Sequence, residues 1–386
     1  MLRETQTILA DLVGFPTVSS DSNFAMVAYL ANRLSDIGAR IEVLTDDSGQ
    51  KANLFATLGP EGNGGIVLSG HTDVVPVADQ DWSSDPFSLR ENDGRLYGRG
   101  TCDMKGFIAA ALAMAPTYAK ANLRRPLHFA LTYDEEVGCL GGQALVAELE
   151  SRGIRPDIAI IGEPTEMKII EAHKGCCEYT VNFQGLDGHS SDPAQGVNAA
   201  EYAARYVIRL LELREALKTR APADSPFKPP FTTLNVGSIQ GGVARNVIAA
   251  KAMVEWEMRP VQAGDAEFVK SEIAQYCEDV LLPAMQAVHA GADITTQVIG
   301  EVPGLEPMSD SAARQLLSEL TGQNSALTVP FGTEAGLFQK IGISAVVCGP
   351  GAIAQAHKPD EFITTAQLDQ CLSMLAKLTP QLETAR

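Results

Sequence analysis

The chain has 386 residues, 45% of them hydrophobic, enough to enclose more than one core, so two domains are expected. Its formal charge of -18 argues against nucleic acid or an anionic membrane as a partner, since either demands a basic face. Seven cysteines, an odd number without any C-x-x-C spacing, suit reduced thiols in the cytoplasm better than a disulfide framework.

The amino terminus, Met1-Leu2-Arg3-Glu4-Thr5, carries charges of both signs and leads into no apolar signal core. Ser22 is the predicted cap of a helix whose apolar positions Met26, Leu30, Leu34 and Ile37 keep helical spacing before Gly38. Strands are predicted over 40–44, 53–58 and 65–68. The last is a continuous apolar run, Ile66-Val67-Leu68, that closes in Ser69-Gly70-His71-Thr72-Asp73. Ligands of open α/β sheets gather beyond the carboxyl ends of such strands. A metal-binding histidine also needs an acceptor for its other ring nitrogen, which Asp73 can supply to His71.

Turn chemistry follows at Asp85-Pro86-Phe87 and Asn92-Asp93-Gly94. Gly100-Thr101-Cys102-Asp103-Met104-Lys105-Gly106 then leads into an alanine-rich apolar run, Phe107 to Ala115, which is too short to span a bilayer and stops at Pro116. Asp103 stands where the loop enters that helix, the place of an ordinary cap or, beside other ligands, of a metal bridge. The strand Leu127 to Leu131, with His128 packed in the core, ends in Asp134-Glu135-Glu136, three carboxylates that repel one another unless a cation or a raised pKa relieves them. The strand Asp157 to Ile161 closes in Gly162-Glu163.

From 176 to 302 the apolar period changes from continuous runs to alternation, marked by Tyr179, Val181 and Phe183, by Leu234 and Val236, by Ala252, Val254, Trp256 and Met258, and by Ile294, Thr296 and Val298. One intervening helix has Asn198 as cap and Glu201 in a capping box; the other holds Val269, Ile273, Tyr276 and Val280 in register. This order, β-α-β-β-α-β, is that of a ferredoxin-like module. After it a buried strand, Ile343 to Cys348, leads through Gly349-Pro350-Gly351 to His357. The expected architecture is α/β: a mixed-sheet catalytic domain over 1–175 and 303–386, with an α+β ferredoxin-like domain inserted at 176–302.

His71, Asp103, Glu136, Glu163 and His357 thus comprise two imidazoles and three carboxylates near strand ends. One Zn²⁺ among them leaves a net negative site, whereas two Zn²⁺ with a bridging hydroxide balance the charge, so a pair of ions is expected; cobalt or manganese would accept the same ligands. Asp103, with its short side chain, is the best bridge. Adjacent residues point in different directions, so one of Glu135 and Glu136 can face metal while the other acts as general base on the bridging water. Spacing alone leaves open which.

These motifs, together with Gly188-His189-Ser190-Ser191 and Ala356-His357-Lys358-Pro359, resemble the zinc-dependent aminoacylase and carboxypeptidase family of metallopeptidases over nearly the whole length of the chain. The resemblance implies that His71, Glu163 and Asp103 hold one zinc, that Glu136, His357 and Asp103 hold the other, that Glu135 is the base, that Asp73 supports His71, and that the peptide after Asp103 is cis. It further implies a homodimer formed through the inserted domain, also a lid, with His189 of one subunit stabilising the oxyanion in the other's site. Arg245, Asn246 and Arg259 would grip a substrate carboxylate, and Gly332-Thr333-Glu334 would form a substrate loop.

The implied reaction is hydrolysis of an acylated amino acid. A desuccinylase of succinyl-diaminopimelate fits less well: the residues after His189 differ from its pattern, Lys174 stands in place of an arginine, and Glu334 replaces a small polar residue. The resemblance implies Nα-acetylornithine, cleaved to ornithine and acetate in arginine biosynthesis, as the expected substrate, and a carboxylate at 334 would suit its cationic side chain. A broader acyl-amino-acid hydrolase or dipeptidase is the alternative. A non-catalytic metal-binding protein is disfavoured because Glu135 accompanies all five ligands.

Overall fold

The continuous apolar runs form the centre of an eight-stranded mixed sheet in the computed structural model, which describes residues 1–384. In spatial order its strands are Arg40–Thr45, Ala52–Leu58, Leu127–Thr132, Ile66–His71, Ile158–Pro164, Ser344–Gly349, Ile170–His173 and Leu327–Val329. The four from Leu127–Thr132 to Ser344–Gly349 are mutually parallel, and every residue in them is buried, as strands covered on both faces require. Their shared direction puts His71, the 133–136 turn, Glu163 and the loop after Gly349 at one edge of the sheet.

Helices Leu2–Val13, Phe24–Ser35, Gly106–Lys120, Ala312–Thr321 and Thr365–Ala376 join these strands in one apolar core. Gly106–Lys120 is buried from Gly106 through Ala115. It lies so close to the Glu163 strand that a Cβ on Gly162 would come within 2.0 Å of the Phe107 ring. A glycine before Glu163 is therefore a packing requirement. This helix continues past Pro116 to Lys120, because buried Tyr118 anchors its last turn by donating its hydroxyl to the Leu375 carbonyl at 2.7 Å. The cap of Phe24–Ser35 is Asn23 rather than Ser22. Ser22 still accepts the Phe24 N–H at 3.3 Å, while the Asn23 amide is drawn away to Ala52 and Thr72.

Residues Met1–Ala172, Pro307–Thr328 and Thr333 onward form one compact unit, and His173–Glu306 with Val329–Gly332 form another. The second unit has four antiparallel strands in the order Thr233–Gly241, Lys251–Arg259, Cys176–Gln184 and Asp293–Val302, with helices Ala199–Thr219 and Ala263–Tyr276 in its core. With the β-α-β-β-α-β chain order, this is the ferredoxin-like arrangement. Asn198 caps its helix, accepting the Ala200 N–H and donating to Glu201. Val280 leaves the expected register: a wider turn over Cys277–Leu281 rotates it outward and buries Leu281 in its place.

His128 is buried in its strand, stacked on Phe55 with ring centroids 4.9 Å apart and bonded through Nδ1 to the Thr57 hydroxyl at 2.8 Å. Burial, with a smaller contribution from Arg40, lowers its pKa from 6.5 to about 4. The folded chain therefore keeps this imidazole neutral where the unfolded chain protonates it. Its contribution is intact above pH 6.5 and is lost as pH falls toward 4, by up to about 3 kcal/mol. His128→Gln should lose less stability than the parent between pH 6.5 and 4.5, read as the shift in urea midpoint of the metal-free proteins.

Candidate active site

His71 closes the strand Ile66–His71 and is 1% exposed. Its Nδ1 donates to the Asp73 carbonyl at 2.9 Å and lies 3.5 Å from the Asp73 carboxylate. That carboxylate is a hub: it accepts Ser19 Oγ at 2.7 Å, the Glu135 N–H at 3.0 Å and the Glu136 N–H at 3.3 Å. Burial opposes its ionisation, but bonds from His71, Ser19 and Glu135 together hold its pKa below the ordinary carboxylate value.

Asp103 is reached through an irregular stretch, Thr101–Lys105, and the bond between Asp103 and Met104 is cis. The helix that follows begins at Gly106 with Lys105 in the cap position, so Asp103 is not a helix cap. Its two oxygens face different imidazoles: Oδ1 lies 3.1 Å from His71 Nε2, and Oδ2 lies 3.4 Å from His357 Nε2. Glu163 Oε1 stands 3.6 Å from His71 Nε2, and Glu136 Oε2 stands 3.0 Å from His357 Nε2. The structure thus brings His71, Asp103, Glu136, Glu163 and His357 together, with Glu135 among them. Ligand atoms of His71, Glu135 and Glu163, and likewise of His71, Asp103 and Glu136, lie within 4.8 Å of one another.

The electrostatics are those of an acid cluster. Burial, then repulsion by neighbouring carboxylates, pushes Glu135 and Glu163 well above the ordinary glutamate value and raises Glu136, against the opposing influence of the imidazoles. Asp103 is likewise desolvated, yet bonds to His357 and His71 hold its pKa low. Nitrogen and oxygen donors, mostly anionic and clustered at strand ends, are the donor set that divalent cations take.

Sequence patterns did not reveal Lys51 or Ser19. Buried Lys51 donates Nζ to the Ser19 carbonyl and to Asp134 Oδ1, both at 2.5 Å. Asp134 has a left-handed backbone, φ 52°. Lys51 therefore clamps the turn that presents Glu135 and Glu136, and Ser19 clamps Asp73 in the same network.

The remaining candidates are more dispersed. In the second unit His189 is exposed, bonded through Nδ1 to the Ser191 hydroxyl at 2.7 Å, and it pairs with Val247 beside exposed Arg245 and Asn246. Arg259 is already engaged by Glu257 at 2.6 Å and by Glu178 at 3.9 Å. Gly332 belongs to the second unit, whereas Thr333 and Glu334 belong to the first and are buried. Glu334 is 1% exposed, not presented at the surface; Oε2 lies 3.4 Å from Ser69 Oγ, and burial pushes its pKa up to about 7.

The profile of the peptidase family M20/M25/M40 matches residues 67–381. Acetylornithine deacetylase of Pasteurella multocida (strain Pm70) is 37% identical over 378 residues, covering 96% of each chain. The protein of that name from Proteus mirabilis (strain HI4320) is 37% identical over 374 residues, covering 95% of this chain and 94% of its own. Among solved structures, an M20 family metallo-carboxypeptidase from Sulfolobus solfataricus superposes with a TM-score of 0.75 at 17% identity, covering 98% of this chain and 99% of that one. A Bacillus subtilis protein described as a dinuclear metal binding peptidase superposes with a TM-score of 0.65 at 14% identity, covering 100% of this chain and 99% of that one. Together with the acid-rich cluster at the strand ends, these matches place the chain in peptidase family M20/M25/M40, as a hydrolase acting on amide bonds.

Proposed function

We propose that this protein hydrolyses the N-acetyl amide of Nα-acetylornithine, releasing ornithine and acetate, with two divalent cations, preferably zinc, at the cluster around Asp103. The observation that carries the reading is that His71 and His357 meet on opposite oxygens of one buried aspartate. The identity to proteins named acetylornithine deacetylase supports the choice of substrate. Seven free cysteines support a cytoplasmic setting.

In this mechanism His71, Glu163 and Asp103 would hold one cation, and Glu136 and His357, with Asp103, would hold the other. When bound, such a pair polarises the scissile carbonyl and makes an attacking water more acidic. Glu135 takes the proton from that water and delivers it to the departing amine nitrogen, so the acetyl carbon gains the oxygen as the C–N bond breaks. A base in a half-buried, acid-rich setting binds a proton more tightly than an exposed glutamate, which suits it to carry one between two steps. Asp73 keeps the His71 ring oriented and fixes the backbone of Glu135 and Glu136. Among the groups proposed to grip the substrate carboxylate, Arg245 is exposed, whereas Arg259 is tied to its own Glu257.

Chelation should abolish release of ornithine and lower the melting temperature, and zinc or cobalt should restore both; a cation at about a hundred times its Kd stabilises by about 2.7 kcal/mol. Glu135→Gln should lower kcat by about 10²–10⁴-fold while cation affinity stays close to the parent value. Nα-acetylornithine should outcompete succinyl-diaminopimelate, uncharged acetyl-amino acids and dipeptides in the same assay, and a preference for any of these would displace the substrate assignment.

We also propose a homodimer formed through the second unit, in which His189 serves the partner's site. Mixing inactive His189→Ala with inactive Glu135→Gln should then restore about a quarter of parental activity, since half of randomly paired dimers would carry one complete site. Sedimentation as a monomer, or no recovery on mixing, would remove this part of the reading.

A further inference from the structure

Glu361 precedes the strand Phe362–Thr364, whose antiparallel pairing with Arg95–Tyr97 lays it against the loop that delivers Asp103. Its carboxylate is buried and used on both oxygens. Oε1 accepts the backbone N–H groups of Cys102 at 2.8 Å and Asp103 at 3.0 Å; Oε2 accepts that of Gly100 at 2.9 Å and Nη1 of Arg99 at 2.8 Å. A left-handed turn at Gly100, φ 80°, lets these N–H groups converge on one anion, and a Cβ there would come within 2.8 Å of Val74.

Arg99 carries the connection onward. Itself buried, it donates Nη2 to Gln80 Oε1 at 2.6 Å and Nη1 to the Lys358 carbonyl at 3.3 Å, and its guanidinium stands 5.0 Å from the Trp82 ring centroid. Gln80 then donates Nε2 to the His357 carbonyl at 3.0 Å. A continuous set of hydrogen bonds therefore runs from the Asp103 N–H, through Glu361, Arg99 and Gln80, to the His357 backbone. This tether matters because His71 is enclosed by its strand, whereas the His357 side chain is 54% exposed and gains little position from packing.

We propose that Glu361 is a positioning residue: with Arg99 it sets the separation of Asp103 and His357, and so the strength and geometry of cation binding on the His357 side of the cluster. The inference rests on the reading of Asp103 and His357 as ligands. Glu361 itself touches neither substrate nor cation. Its effect is transmitted by charge-assisted hydrogen bonds that a neutral amide cannot reproduce, because Glu361→Gln puts an NH₂ group against N–H donors.

The test is titration of the metal-free protein with Co²⁺, following visible absorption and calorimetry. The wild type should take up two equivalents. Glu361→Gln should bind one of the two equivalents at least about tenfold less tightly and with an altered visible band, the other equivalent changing less. Leu9→Ala, a core cavity in the same unit, controls for lost stability and should keep the wild-type spectrum. If Glu361→Gln does not fold, Glu361→Asp, which keeps the charge but shortens the reach, should show a smaller loss in the same equivalent. Wild-type affinity and spectrum in the folded variant, or a loss shared equally by both equivalents or by Leu9→Ala, would overturn the proposal. A wild type that binds no cobalt would instead overturn the ligand reading, and this inference with it.

Discussion

Buried negative charge is the constraint around which the first unit is arranged. Asp103, Glu135, Glu136 and Glu163 share one site with two imidazoles. Two like charges at 4 Å repel by about 4 kcal/mol at an effective dielectric constant of 20, so four such groups cannot all ionise in close contact without a countercharge. Burial first, and then this repulsion, raises the pKa values of the three glutamates. The four acids come from three places, the Thr101–Lys105 stretch, the 133–136 turn and the strand Ile158–Pro164, and the parallel strands beneath are buried along their whole length. The apolar sheet supplies the stability that permits an unfavourable concentration of charge at its edge, where cations can relieve it.

Holding those groups in place is a separate problem from supplying them, and the chain solves it with polar anchors beneath the cluster. Asp73 binds one imidazole, one hydroxyl and two backbone N–H groups, while Lys51 joins the Ser19 carbonyl to Asp134. Breaking a buried charged pair typically costs about 3–5 kcal/mol, because the remaining charge is left without a partner. Such anchors therefore resist displacement more strongly than packing contacts of similar size.

The candidate ligands were readable in the sequence because parallel strands buried on both faces are written as continuous apolar runs, and His71, Glu136, Glu163 and His357 each follow one. The second unit was readable for the opposite reason: Tyr179, Val181 and Phe183 alternate with more exposed residues on a sheet with one buried face. Lys51 was not, since its value lies in a bond to Asp134, 83 positions away, and to a carbonyl that any residue could provide. Glu334 shows a different limit. Its chemical type suggests attraction of a cationic side chain, but residue type does not report depth, and the structure packs it behind Ser69 and Gly142. Ser22 and Val280 failed at the scale of single positions, where a neighbouring amide or one wider turn decides the outcome.

The adjacent pair Glu135 and Glu136 shows how backbone geometry separates two neighbouring carboxylates. A left-handed Asp134 starts the turn, and the next two N–H groups both point at the Asp73 carboxylate. With their amides fixed on one acceptor, the two side chains diverge. Glu136 reaches His357 at 3.0 Å, while Glu135 gathers with His71 and Glu163 and lies 3.5 Å from Cys139 Sγ. Two carboxylates that would otherwise compete for one position thereby face different partners. Asp73, which holds both of their amides and the His71 ring, couples the orientation of that imidazole to that of the proposed base, so displacing any one of the three disturbs the others.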